Sequence, residues 1–279
     1  GENAEALRPI YERYGFRGLL EELSRGGRKT VNAPAPAEDA APSTAPEGSH
    51  RADYETLLDS AAFDRWLAKL MAAEVVSLDT ETTGLDPMEA RLVGMSFALA
   101  EGEAAYLPLG HVYPDAPAQL PLDEVLAALR PWLESPTHGK LGQNLKYDRH
   151  VFANHGIRLA GVVDDTLLES YVLEADRNHN LDTLVTRHLG LKVISYDEVT
   201  GKGAARIGFE QVPLERAAAY AAEDADVTLR VHRVLAPRIA ADSKLAYIYH
   251  DIELPVSDIL FEMERNGVLL DVGSLAAQS

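Results

Sequence analysis

Residues 74–81, EVVSLDTE, read as a short, mostly apolar strand that ends in two carboxylates. The next six residues, TTGLDP, hold the glycine and proline that typically end a strand in a turn. Side chains two apart on a strand share a face and lie about 6.6 Å apart along the backbone, so Asp79 and Glu81 project together. Like charges this close need a cation or a proton between them, and hard oxygen ligands favour Mg²⁺ or Mn²⁺. By itself the pair is a weak motif, and a solvated strand end explains it equally well.

A second polar stretch, LGQNLKYD, occupies residues 141–148 and passes from an apolar run into a helical pattern. Asn144 and Asp148 are four apart and would share a face of that helix. The alternative for Asp148 is a carboxylate on the surface of a helix, which is the commoner fate of a single Asp.

The third element is a long helix that begins near Pro213, since proline is favoured in the first turn of a helix. Tyr220 and Asp224 are four apart and would lie on one face of it, although a tyrosine at the core edge beside a solvated aspartate is the alternative. Glu223 and Asp226 lie on other faces, where we expect them to be solvated. Only the conjunction of the three elements indicates two divalent ions held beside a phosphodiester.

Together the three stretches resemble the 3′–5′ exonuclease, or proofreading, domain of bacterial DNA polymerase I. The first motif of that family is matched by DTET at residues 79–82, the second by QNLKYD at 143–148 and the third by YAAED at 220–224. The similarity extends over residues 53–279. It implies an α/β chain with the ribonuclease H-like 3′–5′ exonuclease fold, in which helices flank a mixed sheet.

The resemblance also implies an enzyme, a metal-dependent 3′–5′ exodeoxyribonuclease. It would hydrolyse single-stranded or frayed DNA 3′ ends to deoxynucleoside 5′-monophosphates by a two-metal mechanism, and its parent enzyme would act in DNA replication and repair. Two Mg²⁺ ions are expected, with Mn²⁺ or Zn²⁺ as alternatives. The implied catalytic residues are Asp79, Glu81, Asp148, Tyr220 and Asp224, of which the four acids are the metal ligands.

Within that mechanism Asp79 would bridge the two ions, Glu81 and Asp224 would complete one metal site, and Asp148 would hold the other ion. Tyr220, aided by Glu81, would orient the attacking water. The residues implied to contact the DNA strand are Thr80, Thr82, Leu85, Gln143, Asn144, Lys146, Tyr147 and Tyr196. For Tyr196 an exposed loop tyrosine is an equally good interpretation.

The chain divides into four predicted segments. Residues 1–25 resemble the tail of a preceding 5′-nuclease domain, and residues 26–50 are an Ala/Pro-rich linker without large apolar residues, which should be disordered. Residues 51–241 would form the exonuclease domain, and residues 242–279 resemble the truncated start of a polymerase domain. We therefore expect a polymerase fragment without polymerase activity, whose partners are a single-stranded DNA 3′ end and the polymerase domain of the parent chain.

Composition limits the classes of partner. The net charge of −18 argues against a non-specific duplex binder, because phosphate contacts need Lys and Arg. The absence of cysteine excludes disulfides and thiolate zinc sites, and the nine histidines show no paired ligand spacing, so we expect surface or packing roles for them. There is no apolar run of about 18 residues and no signal peptide, which fits a soluble cytoplasmic protein without membrane contact. We further expect a monomer, and the resemblance implies a bacterial cytoplasm.

The remaining pattern predicts a mixed sheet with helices on its faces. The predicted strands are 75–79, 92–99, 104–108 and 140–142. The predicted helices are 63–71, 122–133, 146–155, 166–173, 181–189, one that follows Pro213, and one over 242–266 that ends at Asn266-Gly267. Asp165 and Glu169 are four apart and are further candidates for the site, but we favour a helix-start role for Asp165.

Two alternatives stay open. Ribonuclease D-like enzymes use the same acids and tyrosine to trim RNA, although the polymerase-like sequence after residue 250 argues against them. A catalytically silent module would only space its neighbouring domains, although retention of the four acids and Tyr220 argues against that.

Overall fold

One mixed sheet organises the chain. The computed structural model describes residues 54–278, so the predictions for residues 1–25 and 26–50 lie outside the described residues. The strands are β1 (Glu55–Thr56), β2 (Val75–Thr82), β3 (Leu92–Ala100), β4 (Glu103–Pro108), β5 (Gly139–Gly142) and β6 (Val162–Asp165). Their order across the sheet is β1-β4-β3-β2-β5-β6. The pairs β2–β3 and β3–β4 are antiparallel, whereas β1–β4, β2–β5 and β5–β6 are parallel.

Helices accompany the sheet throughout residues 54–278. They are α1 (Ser60–Ala72), α2 (Leu122–Leu133), α3 (Leu145–Asn154), α4 (Thr166–Leu173), α5 (Leu181–Leu189), α6 (Tyr196–Thr200), α7 (Leu214–Ala240), α8 (Ser243–Tyr247), α9 (Leu254–Asn266) and α10 (Val272–Gln278). Two 3₁₀ turns, Gly203–Ala205 and Phe209–Gln211, precede α7, and a π-helical turn, Ile248–Glu253, joins α8 to α9. Among these described helices, none combines the length and apolar character that crossing a membrane requires.

Strand β2 lies in the middle of the sheet and divides its side chains between two layers. Val76 and Leu78 are fully buried in the apolar cluster that α1, α2 and α3 build on one face. Val75 packs instead in the cluster that α7 builds on the other face. Because side chains alternate along a strand, Asp79 and Glu81 share the face of Val75 and point toward α7. The predicted sheet with helices on both faces is therefore confirmed.

Helix α7 approaches the sheet closely because the residues it turns inward are small. They are Ala217, Ala218, Ala221, Ala222 and Ala225, and all of them are buried. A stripe of small apolar residues at helical spacing lets the helix backbone lie near the strands. Further along, Val227 and Val231 pack against α5. The helix thereby carries its polar residues to the end of β2.

Two acidic residues of α7 are less exposed than the sequence predicted. Asp226 is buried and accepts hydrogen bonds from the Tyr54 hydroxyl at 2.8 Å and the Gly102 backbone N–H at 2.9 Å. Glu223 is half-buried and accepts the Ile194 N–H at 2.7 Å. The prediction that both are solvated is wrong, because loops distant in sequence supply the donors that make burial tolerable.

The helix predicted for residues 242–266 is present as one uninterrupted helical run from Ser243 to Asn266, in which the π-helical turn lies between α8 and α9. The π-helical turn includes Tyr249, which is fully buried. Helix α9 ends at Asn266 as predicted, with Gly267 at a positive φ of 65°. It lies against α3, where the Phe261 ring is 4.7 Å from that of His150.

Candidate active site

The first two acidic residues stand at the end of β2. Asp79 pairs with Ser96 of β3, and Glu81 pairs with Gly94, so the two carboxylates lie on one face, two residue pairs apart along the strands. The pairing slips between Glu81 and Thr82, where the strand carries a bulge-like irregularity. Irregularities of this kind bend a strand and redirect the side chains beside them. The strand therefore presents both acids at the edge of the helical layer.

The start of α3 is held by a carboxylate from the neighbouring strand. Asp165, at the end of β6, accepts the backbone N–H of Asn144 at 2.9 Å and of Leu145 at 2.8 Å. It also accepts the N–H of Leu167 at 3.0 Å, in the first turn of α4. The predicted helix-start role of Asp165 is confirmed, and it serves two helices at once. Asp165 thus fixes the position of α3, which carries Asp148.

Asn144 does not share a helix face with Asp148 in the predicted way. It lies just before α3 in the left-handed region, with φ of 63°, and the helix begins at Leu145. Both side chains nevertheless line the same cleft. A left-handed asparagine ahead of the first turn is a local conformation that helical spacing does not indicate.

Asp148 is hydrogen-bonded directly to a residue of β2. Its carboxylate is buried, and Oδ1 accepts a hydrogen bond from Thr80 Oγ1 at 2.5 Å. The third motif lies on α7, where Tyr220 and Asp224 are one turn apart, as predicted. Asp224 Oδ1 is buried without a hydrogen-bond partner among the described protein atoms. Three separate elements therefore bring their acids to one place.

These residues surround an open cleft of about 190 Å³. Its lining consists of Asp79, Thr80, Glu81, Thr82, Gly84, Leu85, Gln143, Asn144, Tyr147, Asp148, Tyr196, Tyr220 and Asp224. The structure thus gathers the five residues predicted to be catalytic and all but one of those predicted to contact the strand. Gly84 is the addition, since it belongs to the turn that presents Leu85.

Lys146 is the exception, because it does not line the cleft. Its Nζ donates to a carboxylate oxygen of Glu264 on α9. Successive helix residues are about 100° apart, so a residue two positions before Asp148 lies on the far side of α3. Glu169, a further candidate from the sequence, also lies outside the cleft lining and hydrogen-bonds to His232.

The turn after β2 is held in place by side chains of the cleft. The Tyr147 hydroxyl donates to the Gly84 carbonyl at 2.6 Å and lies 2.5 Å from Thr82 Oγ1. Leu85, next in the turn, has 82% of its surface exposed. An exposed leucine on a braced turn presents an apolar tip at the mouth of the cleft.

Aromatic rings support the other wall. Tyr196 stacks on Phe209 with centroids 6.3 Å apart, and Phe209 also lies 5.9 Å from the Tyr220 ring. Phe209 is fully buried and is shared by the two tyrosines. The sequence does not indicate this residue, because it lies in a short 3₁₀ turn without a periodic pattern.

Behind the acids lies a second group of residues that the sequence does not indicate. The buried hydroxyl of Tyr106, on β4, is 2.9 Å from Nε2 of the buried His111. The ring occupies space that only a glycine leaves, since a Cβ at Gly94 would stand 2.2 Å from the Tyr106 hydroxyl. Gly94 is the β3 partner of Glu81, so Tyr106 lies beside the row of the sheet that carries this acid.

Burial and repulsion between the carboxylates disfavour the ionised form of the acids in the cleft. Burial raises the pKa of Asp79 from 3.8 to about 6. Burial, and next the charge of Asp79, raises the pKa values of Glu81, Asp148 and Asp224 well above their usual ranges. Burial and the charges of Asp224 and Glu81 raise the pKa of Tyr220, whose hydroxyl therefore keeps its proton. A group of carboxylates in this state is stabilised by added cations.

The donor set fits hard divalent ions. Every candidate ligand offers carboxylate oxygen, which is the donor that Mg²⁺ and Mn²⁺ prefer. The unpartnered Oδ1 of Asp224 is a buried lone pair that the described protein leaves unused. The arrangement can hold cations between strand β2 and helices α3 and α7, and it can place a hydroxyl donor beside them.

The fold and this cleft correspond to a known class. A family model described as 3′-5′ exonuclease matches residues 54–240. The chain belongs to this 3′-5′ exonuclease family.

Two curated relatives of this chain are both DNA polymerase I. The DNA polymerase I of Pseudomonas aeruginosa is 45% identical over 283 residues, which cover 99% of this chain and 30% of that protein. The DNA polymerase I of Rhizobium leguminosarum is 41% identical over 236 residues, covering 78% of this chain and 23% of that protein. The chain therefore spans less than a third of the length of these relatives.

Solved structures share the fold at lower identity. The POL domain of Pol1 from M. smegmatis, in complex with DNA primer-template and dNTP, superposes with a TM-score of 0.62 at 23% identity, over 80% of this chain and 34% of that chain. Escherichia coli RNase D, an exoribonuclease involved in structured RNA processing, gives a TM-score of 0.55 at 19% identity, over 78% of this chain and 52% of that chain. The ribonuclease H-like 3′–5′ exonuclease fold predicted from the sequence is confirmed.

Proposed function

We propose that this chain removes nucleotides from the 3′ end of single-stranded or frayed DNA and releases deoxynucleoside 5′-monophosphates with the help of two divalent ions. The observation that carries the proposal is the meeting of four carboxylates, from β2, α3 and α7, with Tyr220 in one cleft. Its parent would be a DNA polymerase I, with the polymerase domain as its partner within that longer chain.

The acids are assigned by their places around the cleft. The charge of Asp79 raises the pKa of each of the other three acids, and Asp79 would contribute to holding both ions. Glu81 and Asp224 would complete one site, and Asp148 would hold the other ion. When bound, a pair of such ions supplies stabilisation of charge on the attacking and leaving oxygens and an acidified water.

We assign to Tyr220 the role of orienting the attacking water. Because its pKa is raised, its hydroxyl remains a hydrogen-bond donor across the physiological range. Phe209 and Tyr196 pack against its ring and limit its movement. Glu81 would accept a hydrogen bond from the same water, so that the two side chains direct one oxygen lone pair at the phosphorus.

The open side of the cleft suits a terminal nucleotide. Leu85 would contact the last base, and Tyr147 and Tyr196 would support the strand. Aromatic and apolar contacts tolerate any base, which suits removal of whatever nucleotide is mispaired. Selection for mismatches would come from fraying, since an unpaired end reaches a single-strand site more easily. With a net charge of −18, we expect weak duplex affinity for the chain alone.

The test uses a DNA oligomer and an RNA oligomer of the same sequence, each labelled at its 5′ end. We expect the DNA to shorten stepwise from the 3′ end in Mg²⁺ and to stay intact in EDTA. Faster shortening of the RNA would favour a ribonuclease D-like role instead. Intact oligomers in both conditions, together with no Mg²⁺ binding by calorimetry, would indicate a silent spacer and overturn the proposal.

A further inference from the structure

Helix α9 packs against the back of the helix that carries Asp148. Successive residues of a helix are about 100° apart, so Lys146 and His150 lie together on the side of α3 that is turned away from Asp148. Thr80 of β2 donates to Asp148 at the front of α3. At the back, Glu264 of α9 contacts both Lys146 and His150. Helix α3 is therefore held between β2 and α9, and the position of the Asp148 carboxylate depends on both.

Glu264 divides its two carboxylate oxygens between these two residues. Oε1 accepts a hydrogen bond from Lys146 Nζ, and Oε2 lies 2.8 Å from His150 Nε2, which donates because an ionised carboxylate can only accept. The hydrogen bond from Lys146 lowers the pKa of Glu264 and thereby favours its ionised form. Hydrogen bonds to an ionised group are stronger than those between neutral groups. One side chain of α9 thus holds two points of α3 that are one turn apart.

The imidazole of His150 is enclosed on every side by this contact. His150 is fully buried, its Nε2 pairs with Glu264, and its Nδ1 has no partner among the described protein atoms. The centroid of the Phe261 ring lies 4.7 Å from that of the imidazole. The same ring lies 5.2 Å from the Arg149 guanidinium, which pairs with Asp258. A buried N–H without an acceptor is costly, so after loss of Glu264 we expect His150, and α3 with it, to shift toward water.

The same helix also supports the turn that presents Leu85. Arg265 Nη1 donates to Asn154 Oδ1 at 2.8 Å, at the C-terminal end of α3. Asn154 Nδ2 in turn donates to the carbonyls of Pro87 and Ala90, at 2.9 Å each, in the segment that follows β2. Helix α9 is thereby connected to two walls of the cleft, through α3 and through the turn that carries Leu85.

The π-helical turn before α9 secures the other end of α3. Tyr249 is buried there, and its hydroxyl accepts the backbone N–H of Asp165 at 2.9 Å. Asp165 is the carboxylate that caps the first turn of α3. Between Tyr249 and Arg265 the chain therefore supports both ends and the back of α3, although the sequence assigned residues 242–279 to a polymerase domain.

We propose that Glu264 is a positioning residue for Asp148, and that the functional nuclease unit extends through α9, beyond the predicted boundary at residue 241. Glu264 lies behind α3 and outside the cleft lining, so it acts through Lys146 and His150 and not on the substrate itself. Its role rests on the proposed function, in which Asp148 holds an ion beside the strand. A displacement of about 1 Å can lower a rate about a hundredfold, so a small shift of α3 is measurable.

The test compares Glu264→Ala with Glu262→Ala in the full chain. Glu262 is the matched control, since it is a glutamate of α9 whose ion pair with Arg158 is largely exposed. In steady-state hydrolysis of single-stranded DNA we expect Glu264→Ala to lower kcat about tenfold with little change in KM, and Glu262→Ala to change neither. Glu264→Gln keeps one oxygen acceptor and should recover part of the lost rate. In a calorimetric titration with Mn²⁺, one ion should bind about tenfold more weakly after Glu264→Ala.

A double-mutant cycle with Thr80→Val separates positioning from general destabilisation. Thr80 and Glu264 hold Asp148 through opposite sides of α3, so their effects on kcat should be coupled. The double variant should lose clearly less than the product of the two single losses, because an acid already displaced has less to lose. Losses that simply multiply would contradict a shared action on Asp148.

Urea unfolding establishes that each variant is folded under the assay conditions. If Glu264→Ala does not unfold cooperatively, Glu264→Gln carries the test, with a smaller loss of kcat. The proposal is overturned if the unaltered chain hydrolyses DNA and the folded Glu264 variant keeps its kcat and its Mn²⁺ affinity. A rise in KM alone would also overturn it, because that would place Glu264 in strand binding. An unaltered chain that neither binds Mn²⁺ nor shortens DNA would overturn the proposed function, and the role of Glu264 with it.

Discussion

Thr80 donates its side-chain hydroxyl to the buried carboxylate of Asp148 at 2.5 Å, and this bond joins the first acidic strand to the helix that carries the second motif. Thr80 lies between Asp79 and Glu81 on β2 but points to the opposite face, where α3 packs. The bond therefore fixes the spacing between the acids of β2 and the acid of α3. The geometry of the cleft depends on such bonds as well as on the acids themselves.

Replacing Thr80 by valine keeps the shape of the side chain and removes the donor. A hydrogen bond to a charged group contributes about 1.5–3 kcal/mol, so we expect kcat to fall roughly tenfold to a hundredfold. Thr80→Ser should restore most of the rate, because the hydroxyl returns. Single-turnover hydrolysis of a DNA oligomer measures the effect, with the exposed Thr137→Val as control. A rate unchanged by Thr80→Val would show that Asp148 does not need this bond.

Tyr220→Phe removes the hydroxyl and retains the ring that packs on Phe209. We expect kcat to fall about tenfold to a hundredfold with little change in KM, since the lost bond orients water and does not grip the strand. Steady-state kinetics on single-stranded DNA measure both constants, and Tyr171→Phe on the exposed face of α4 is the control. A rise in KM with unchanged kcat would place Tyr220 in strand binding instead.

Asp79→Asn should stabilise the protein when no metal is present. The pKa of Asp79 in the folded chain is about 6, above its ordinary 3.8, so the folded state is penalised as pH rises from 3.8 through 6, and the full penalty applies above that. Removing this charge should raise the free energy of unfolding by roughly 1–3 kcal/mol at pH 8 in EDTA, and by much less at pH 4. Denaturant unfolding measures this. Mg²⁺ should then stabilise the unaltered chain more than the variant, and equal stabilisation by Mg²⁺ would contradict the assignment of Asp79 as a ligand.

The effect of His111 on the free energy of unfolding changes with pH in the opposite direction to that of Asp79. Burial lowers its pKa from 6.5 to about 4, so the unfolded chain binds more protons between those values and stability is lost as pH falls through that window. The difference between these two pKa values corresponds to at most roughly 3 kcal/mol of unfolding free energy. We expect the difference in unfolding free energy between the unaltered chain and His111→Gln to shrink by up to that amount from pH 7 to pH 4, measured by urea unfolding in EDTA. A difference that does not vary with pH would show that His111 is not buried as a neutral imidazole.

The sequence predicted the parts of the fold and the cleft that depend on local periodicity. Strand β2 is a short, mostly apolar run that ends in its acids, and Tyr220 and Asp224 follow helical spacing on α7, so each motif could be placed on its element. The meeting of the three motifs followed from resemblance to a family. No spacing along the chain shows that Asp165 starts two helices or that Thr80 reaches Asp148.

Residues that act through long-range packing could not be predicted. Tyr106 fits only because β3 has Gly94 opposite Glu81, which is a relationship across three strands. Phe209 reaches Tyr220 from a 3₁₀ turn. The position of Lys146, by contrast, could have been predicted. Helical spacing relative to Asp148 already places it on the far side of α3, but the match to the family motif led us to assign it to the cleft.

The most direct measurement of the central claim is single-turnover hydrolysis of a 5′-labelled single-stranded DNA oligomer by Asp79→Asn in saturating Mg²⁺. If the four acids of the cleft hold the ions that drive 3′-end hydrolysis, the rate should fall about thousandfold while the variant unfolds cooperatively. A rate close to that of the unaltered chain, from a variant that is folded, would contradict the claim.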